Sequence, residues 1–151
     1  MLYNSSFICQ KVFLYVTDHS FFFEYANGVF YMIDISDTSW VVEWIPDLEE
    51  RKKQFDISLD DPLEDDLIEL FLEELLTLIF DLQDGILMMD SDAIREAAHS
   101  IKGMAGTMGL SDISVLAHEI EILVGDDNLK KAKPMIDALA DWRDSFGVSD
   151  E

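Results

Sequence analysis

The residues best equipped for chemistry lie in the stretch Ala98-His99-Ser100-Ile101-Lys102-Gly103-Met104-Ala105-Gly106-Thr107-Met108-Gly109-Leu110. On a helix, His99, Lys102, Gly103 and Gly106 stand at i, i+3, i+4 and i+7 and share one face. That face holds an imidazole, a cation and two positions with no side chain. It suits a histidine that must meet a bulky partner and carry a phosphoryl group. A glycine inside a helix costs about 1 kcal/mol relative to alanine, so two on one stripe need a reason. Approach of another surface is one reason, and close helix–helix contact within the fold is another.

His118 and Glu121 stand three residues apart on the following helical segment and so share a face. His99 lies ten residues before the turn at Gly109 and His118 nine after it, which puts them at similar height on an antiparallel pair. Glu121 then comes within reach of a ring nitrogen of His99. A carboxylate that accepts from Nδ1–H fixes the tautomer, raises the basicity of the ring and leaves the Nε2 lone pair free. Nε2 is then a nucleophile towards phosphorus, and Lys102, one turn along, neutralises phosphate oxygens during transfer. Other readings of these residues stay open. His118 and Glu121 also fit an ordinary exposed pair. Zinc accepts ligands of the His99, His118 and Glu121 types, but a fourth ligand and the i, i+4 histidine pair are missing, so no metal is assigned. Met88, Met89, Met104 and Met108 read as core fillers.

The elements that must position these groups are helical. Leu67, Phe71, Leu75, Leu78 and Leu82, widened by Ile68, Leu72, Leu76 and Ile79, form an apolar stripe opposite Glu69, Glu73, Glu74 and Asp81. This predicts a long amphipathic helix from about Pro62 to Met88. Asp90-Ser91-Asp92 caps a second helix with Ile94, Ala97, Ala98, Ile101, Ala105 and Met108 inward, and Gly109 followed by Leu110 reads as a left-handed stop. Ser111 is the expected cap of a third helix, with Ile113, Leu116, Ala117, Ile120 and Leu123 on one side and Gly125 at its end. Asp127 or Asn128 starts a fourth, with Leu129, Ala132, Ile136, Leu139, Ala140 and Phe146 inward and a kink or tightening at Pro134. Short connections between single-striped helices predict an antiparallel up-down four-helix bundle.

Upstream the composition changes. Residues 1–31 hold only Lys11, Asp18 and Glu24 as charged residues, among many aromatics. Phe7 to Val16, Phe21 to Tyr25 and Val29 to Ile35 read as strands, with a hairpin at Ala26-Asn27-Gly28. Trp40 to Ile45 fits either a further strand or a helix capped by Ser39, and a helix from Pro46 through Phe55 is also compatible. Met32 is an alternative start of the native chain. Asp56 to Asp66 reads as a polar linker entering a helix N-terminus, whose dipole its acids complement. The expected fold is therefore mainly α. An aromatic extension, a small β-meander or hairpin, covers residues 1–56 and the bundle covers 57–151.

The formal net charge is −22, which repels phosphate backbones and anionic lipid. Nucleic acid and membrane surfaces are therefore not expected partners. The plainest use of that charge is solubility. Cys9 is the sole cysteine, so no internal disulfide forms. No run of about 18 apolar residues occurs, and the first sixteen residues lack a basic leader and a small-residue cleavage site. These features predict a cytoplasmic protein.

Taken together, Ala97-Ala98-His99-Ser100-Ile101-Lys102-Gly103-Met104-Ala105-Gly106-Thr107-Met108-Gly109 and Leu116-Ala117-His118-Glu119-Ile120-Glu121-Ile122-Leu123 resemble the histidine phosphotransfer (HPt) family. The likeness is greatest to the phosphate-accepting domain of chemotaxis-type histidine kinases, and it spans about residues 62–146. The resemblance implies that His99 is the phosphorylated histidine. It implies that Lys102 and Gly103 flank the phosphate, that His118 and Glu121 form its hydrogen-bond network, and that the surface around Gly106 docks a partner. It further implies a phosphorelay intermediate between a histidine kinase or receiver domain and a response-regulator receiver aspartate. Magnesium would belong to the receiver, so no cofactor is expected here. No nucleotide motif is present, and the chain is not expected to phosphorylate itself from ATP. Two other functions remain open: a helical interaction module whose histidine carries no phosphate, and a metal-binding bundle.

Overall fold

The computed structural model describes residues 13–16, 20–25 and 28–33 as backbone, and residues 35–55 and 63–146. The expected strand residues 7–12, Cys9, the turn residues 17–19 and 26–27, and the linker at 56–62 with Pro62 lie outside the described residues.

The aromatic-rich segment forms β1 (Phe13–Val16), β2 (Ser20–Tyr25) and β3 (Gly28–Ile33). They make a three-stranded antiparallel sheet in the order β1-β2-β3. β-branched and aromatic residues favour this pleated geometry. Phe13 pairs with Glu24 and Val16 with Phe21. Tyr25 pairs with Gly28 across the expected hairpin.

Residues 39–55 form short helices joined by turns, not a strand. A 3-10 helix spans Ser39–Glu43. It is followed by α1 (Leu48–Arg51) and a second 3-10 helix, Lys52–Gln54. Ser39 is inside the first of these and Thr38 is its N-cap residue, so the proposed Ser39 cap and the Trp40–Ile45 strand are both corrected. The reason is tertiary. Ile35, Val41, Ile45 and Leu48 are buried, and they belong to the same apolar core as the downstream helices. Irregular spacing of these anchors gives no clean period of 2 or 3.6.

The bundle consists of α2 (Asp65–Met88), α3 (Ser91–Thr107), α4 (Ser111–Gly125) and α5 (Leu129–Asp144). α2 packs on α3 and α5, and α4 completes the ring by packing on the same two. Two- and three-residue connections between neighbours make the arrangement antiparallel. Asp90 caps α3 by accepting from the Ala93 N–H, and Asn128 caps α5 by accepting from that of Lys131. α4 departs from expectation: Leu110 is its N-cap residue and Ser111 is already helical. The tight α3–α4 turn explains this. Gly109 adopts φ 75°, the Leu110 N–H donates to the Ala105 carbonyl at 2.8 Å and that of Gly109 to the Gly106 carbonyl at 3.0 Å. These two bonds are a Schellman stop, and they leave no room for a separate capping residue. α5 runs unbroken through Pro134.

The core is centred differently on α2 than the stripe suggested. Ile68, Phe71, Leu72, Leu75, Ile79 and Leu82 are buried, whereas Leu67 is 44% exposed. Leu70 and Phe80 are also exposed. α5 buries Met135, Trp142 and Arg143 besides the expected Ala132, Ile136, Leu139 and Ala140, while Leu129 is partly buried, and the Arg143 Nε–H donates to the Leu72 carbonyl at 2.8 Å. Among the described residues, no helix is long and apolar enough to cross a membrane.

Candidate functional site

α3 and α4 bring His99, Lys102, His118 and Glu121 together. Ala98, Ile101 and Ala105 are buried on α3 and Ala117 and Ile120 on α4, so the residues between them in the helical repeat fall at the rim of the contact. Ser114 fastens the pair, its buried hydroxyl donating to the Lys102 carbonyl at 2.8 Å.

Glu121 is the hub. Its Oε1 lies 3.1 Å from His99 Nδ1, and Lys102 Nζ donates to its Oε2 at 2.8 Å. His118 Nδ1 stands 3.5 Å from the same Oε2, at the limit of hydrogen bonding. Burial pushes the Glu121 carboxyl up, but the hydrogen bonds from Lys102, His99 and His118 and the Lys102 charge outweigh it, so it lies below its ordinary value. The group is thus a carboxylate near neutral pH and accepts only. His99 Nδ1 must therefore carry the proton of that bond. In the neutral ring this leaves the Nε2 lone pair unprotonated.

Exposure divides these groups. The His99 side chain is 68% exposed, while those of Lys102 and Glu121 are about a fifth exposed. An open imidazole is thus held from behind by a largely buried ion pair. An atom in place of the missing Gly103 Cβ would meet nothing within 4 Å. Gly103 is therefore not required by packing inside this chain, and it leaves a flat surface one turn from His99. Gly106 differs. It is buried, so it is not part of an exposed docking surface. Ser100 and Thr107 bond back to the Glu96 and Gly103 carbonyls of their own helix.

Two features had no sequence signal. An apolar cleft of about 320 Å³ runs between α2 and α3, lined by Leu67, Leu70, Phe71 and Glu74 on one side and Met104, Thr107 and Met108 on the other. Leu67 and Met104 were expected as core; the exposure of Leu70 beside them is what marks the surface. The ring of Phe55 lies 5.7 Å from that of His118, tilted by 56°. Nothing local in the sequence pairs residues so far apart.

Among the described residues no group of three or more His, Cys, Asp or Glu side chains could hold a metal ion.

In comparison with known proteins, the family model described as Hpt domain matches residues 66–146. No curated protein and no solved structure matches the chain.

Proposed function

We propose that this chain, which belongs to the Hpt domain family, carries a phosphoryl group on His99 between signalling partners. The family has a histidine phosphotransfer role in phosphorelays, and its members interact with histidine kinases and response regulators. The finer reading concerns this chain's own residues. Nε2 of His99 attacks the phosphorus of an aspartyl phosphate on a receiver domain. The N–P bond forms as the P–O bond breaks, and the receiver aspartate leaves as a carboxylate. Positive charge grows on the imidazole and is met by Glu121 through the Nδ1–H bond. Lys102 neutralises phosphate oxygens, and His118 completes the set of donors on Glu121. Transfer to the next receiver is the reverse of the same step. Catalysis is then a matter of positioning and charge.

The observation that carries this reading is the contrast at His99. An exposed ring has its inner nitrogen engaged by a carboxylate and its outer nitrogen open to solvent beside a glycine. The cleft around Leu67, Leu70 and Met104 offers the receiver an apolar contact of modest area. The cytoplasm, where such partners act, is the proposed setting. Incubation with phosphorylated receiver domains tests the role: acid-labile phosphate should pass to this chain. Stable binding of a receiver without any transfer would instead make it an interaction module.

A further inference from the structure

The family match begins at residue 66, so residues 35–55 lie outside it. These residues nevertheless form part of the rim of the site. The segment is tied down along its length. Ile35, Val41, Ile45 and Leu48 enter the core. Trp142 Nε1–H donates to the Asp37 carbonyl at 3.1 Å, and Thr38 Oγ1–H to Asp112 Oδ2 at 2.7 Å. Further on, Lys52 Nζ lies 3.4 Å from Asp112 and Arg51 pairs with Glu119 at 2.8 Å. Asp112 and Glu119 both belong to α4, the helix that carries His118 and Glu121. At its end the last 3-10 turn closes by the Phe55 N–H donating to the Lys52 carbonyl at 2.8 Å. That turn delivers the half-buried Phe55 ring onto His118.

We infer that Phe55 is a positioning residue: it holds the His118 ring in the orientation that presents Nδ1 to Glu121, and through Glu121 it acts on His99. The His118 side chain is 34% exposed and its bond to Glu121 is long. That bond alone fixes the ring weakly, and an imidazole with an open face turns about its side-chain torsions. A tilted aromatic wall packed against it restricts that freedom. The charged contacts of Arg51 and Lys52 serve to register the wall against α4. The functional half of this inference rests on the relay reading of His99; the structural half does not.

A double-mutant cycle on the full chain tests it. The proteins are the unaltered chain, Phe55→Ala, His118→Ala and the double variant, with Phe55→Tyr to restore the ring. Phosphoramidate serves as phosphoryl donor, which removes partner docking from the rate. Phe55→Ala should shift the ¹⁵N resonances of His118 and slow labelling about fivefold, a coupling ordinary for side chains in contact. It should have no further effect once His118 is alanine, and Phe55→Tyr should behave as the unaltered chain. Equal slowing by Phe55→Ala in both backgrounds, or unmoved His118 resonances, would overturn the inference. Should Phe55→Ala fail to fold, Phe55→Leu keeps the apolar bulk without the ring and is read in its place. If the unaltered chain takes no label, the relay reading fails, and the His118 resonances still decide whether Phe55 holds that ring.

Discussion

Replacing Gly103 by alanine separates two uses of a helical glycine. Position 103 is exposed and lies inside α3, and a Cβ there meets nothing within 4 Å. The folded chain has nothing to lose by the methyl, and the helix gains about 0.8–1 kcal/mol of propensity. Stability should therefore rise by about 0.5–1 kcal/mol, or roughly 2–5 °C in melting temperature for a domain of this size. Labelling by phosphoramidate should be unaffected. Transfer from a receiver domain should slow by about tenfold, because a methyl projecting from a closely packed surface costs on the order of 1–3 kcal/mol. Urea unfolding and rapid-quench transfer assays measure the two effects. Gly85 is the internal control: a Cβ there would stand 2.5 Å from Ile94 Cγ1. Gly85→Ala should thus destabilise, by up to about 2 kcal/mol once its propensity gain is subtracted. Loss of stability in Gly103→Ala would refute the account of that surface. Unchanged receiver transfer would refute the claim that the glycine admits a partner.

Two further outcomes follow from the geometry. Glu121 titrates in the fold below its ordinary value of 4.5, so its stabilisation is present above that value and is lost as pH falls through the folded one. The stability gap between the unaltered chain and Glu121→Gln should therefore narrow as pH falls below the ordinary carboxyl value of 4.5 in urea titrations; a constant gap would contradict the ion-pair hub. Met89 ends α2 at φ 54° with its side chain largely exposed. A non-glycine residue in that region costs roughly 1 kcal/mol, so Met89→Gly should raise the urea midpoint, and a lowered midpoint would contradict the left-handed cap.

The site was legible because it is local. His99, Lys102 and Gly103 share one helix, and the turn at Gly109 sets the height of His118 and Glu121 across from them. One glycine stop with a known geometry thus converts sequence spacing into spatial contact. Gly106 shows the limit: an angular stripe names a face but not how far along it the face stays exposed. α2 shows another. It carries so many leucines that the period cannot choose the inward edge of the stripe: Leu67 and Ile68 both fit it, and only Ile68 is buried. Residues 35–55 were the least legible. Their helices are short, their anchors irregular and their partners distant in the chain, as Thr38 with Asp112 and Phe55 with His118 illustrate. Such pairs are fixed by packing, and no local period encodes them.

The central claim is that one imidazole, His99, bears the phosphoryl group. Mapping the labelled residue after incubation with a phosphorylated receiver tests it most directly, with His99→Gln alongside. Acid-labile phosphate is expected on His99 and none on the variant. Label on His118 or His19, or undiminished labelling of His99→Gln, would contradict it.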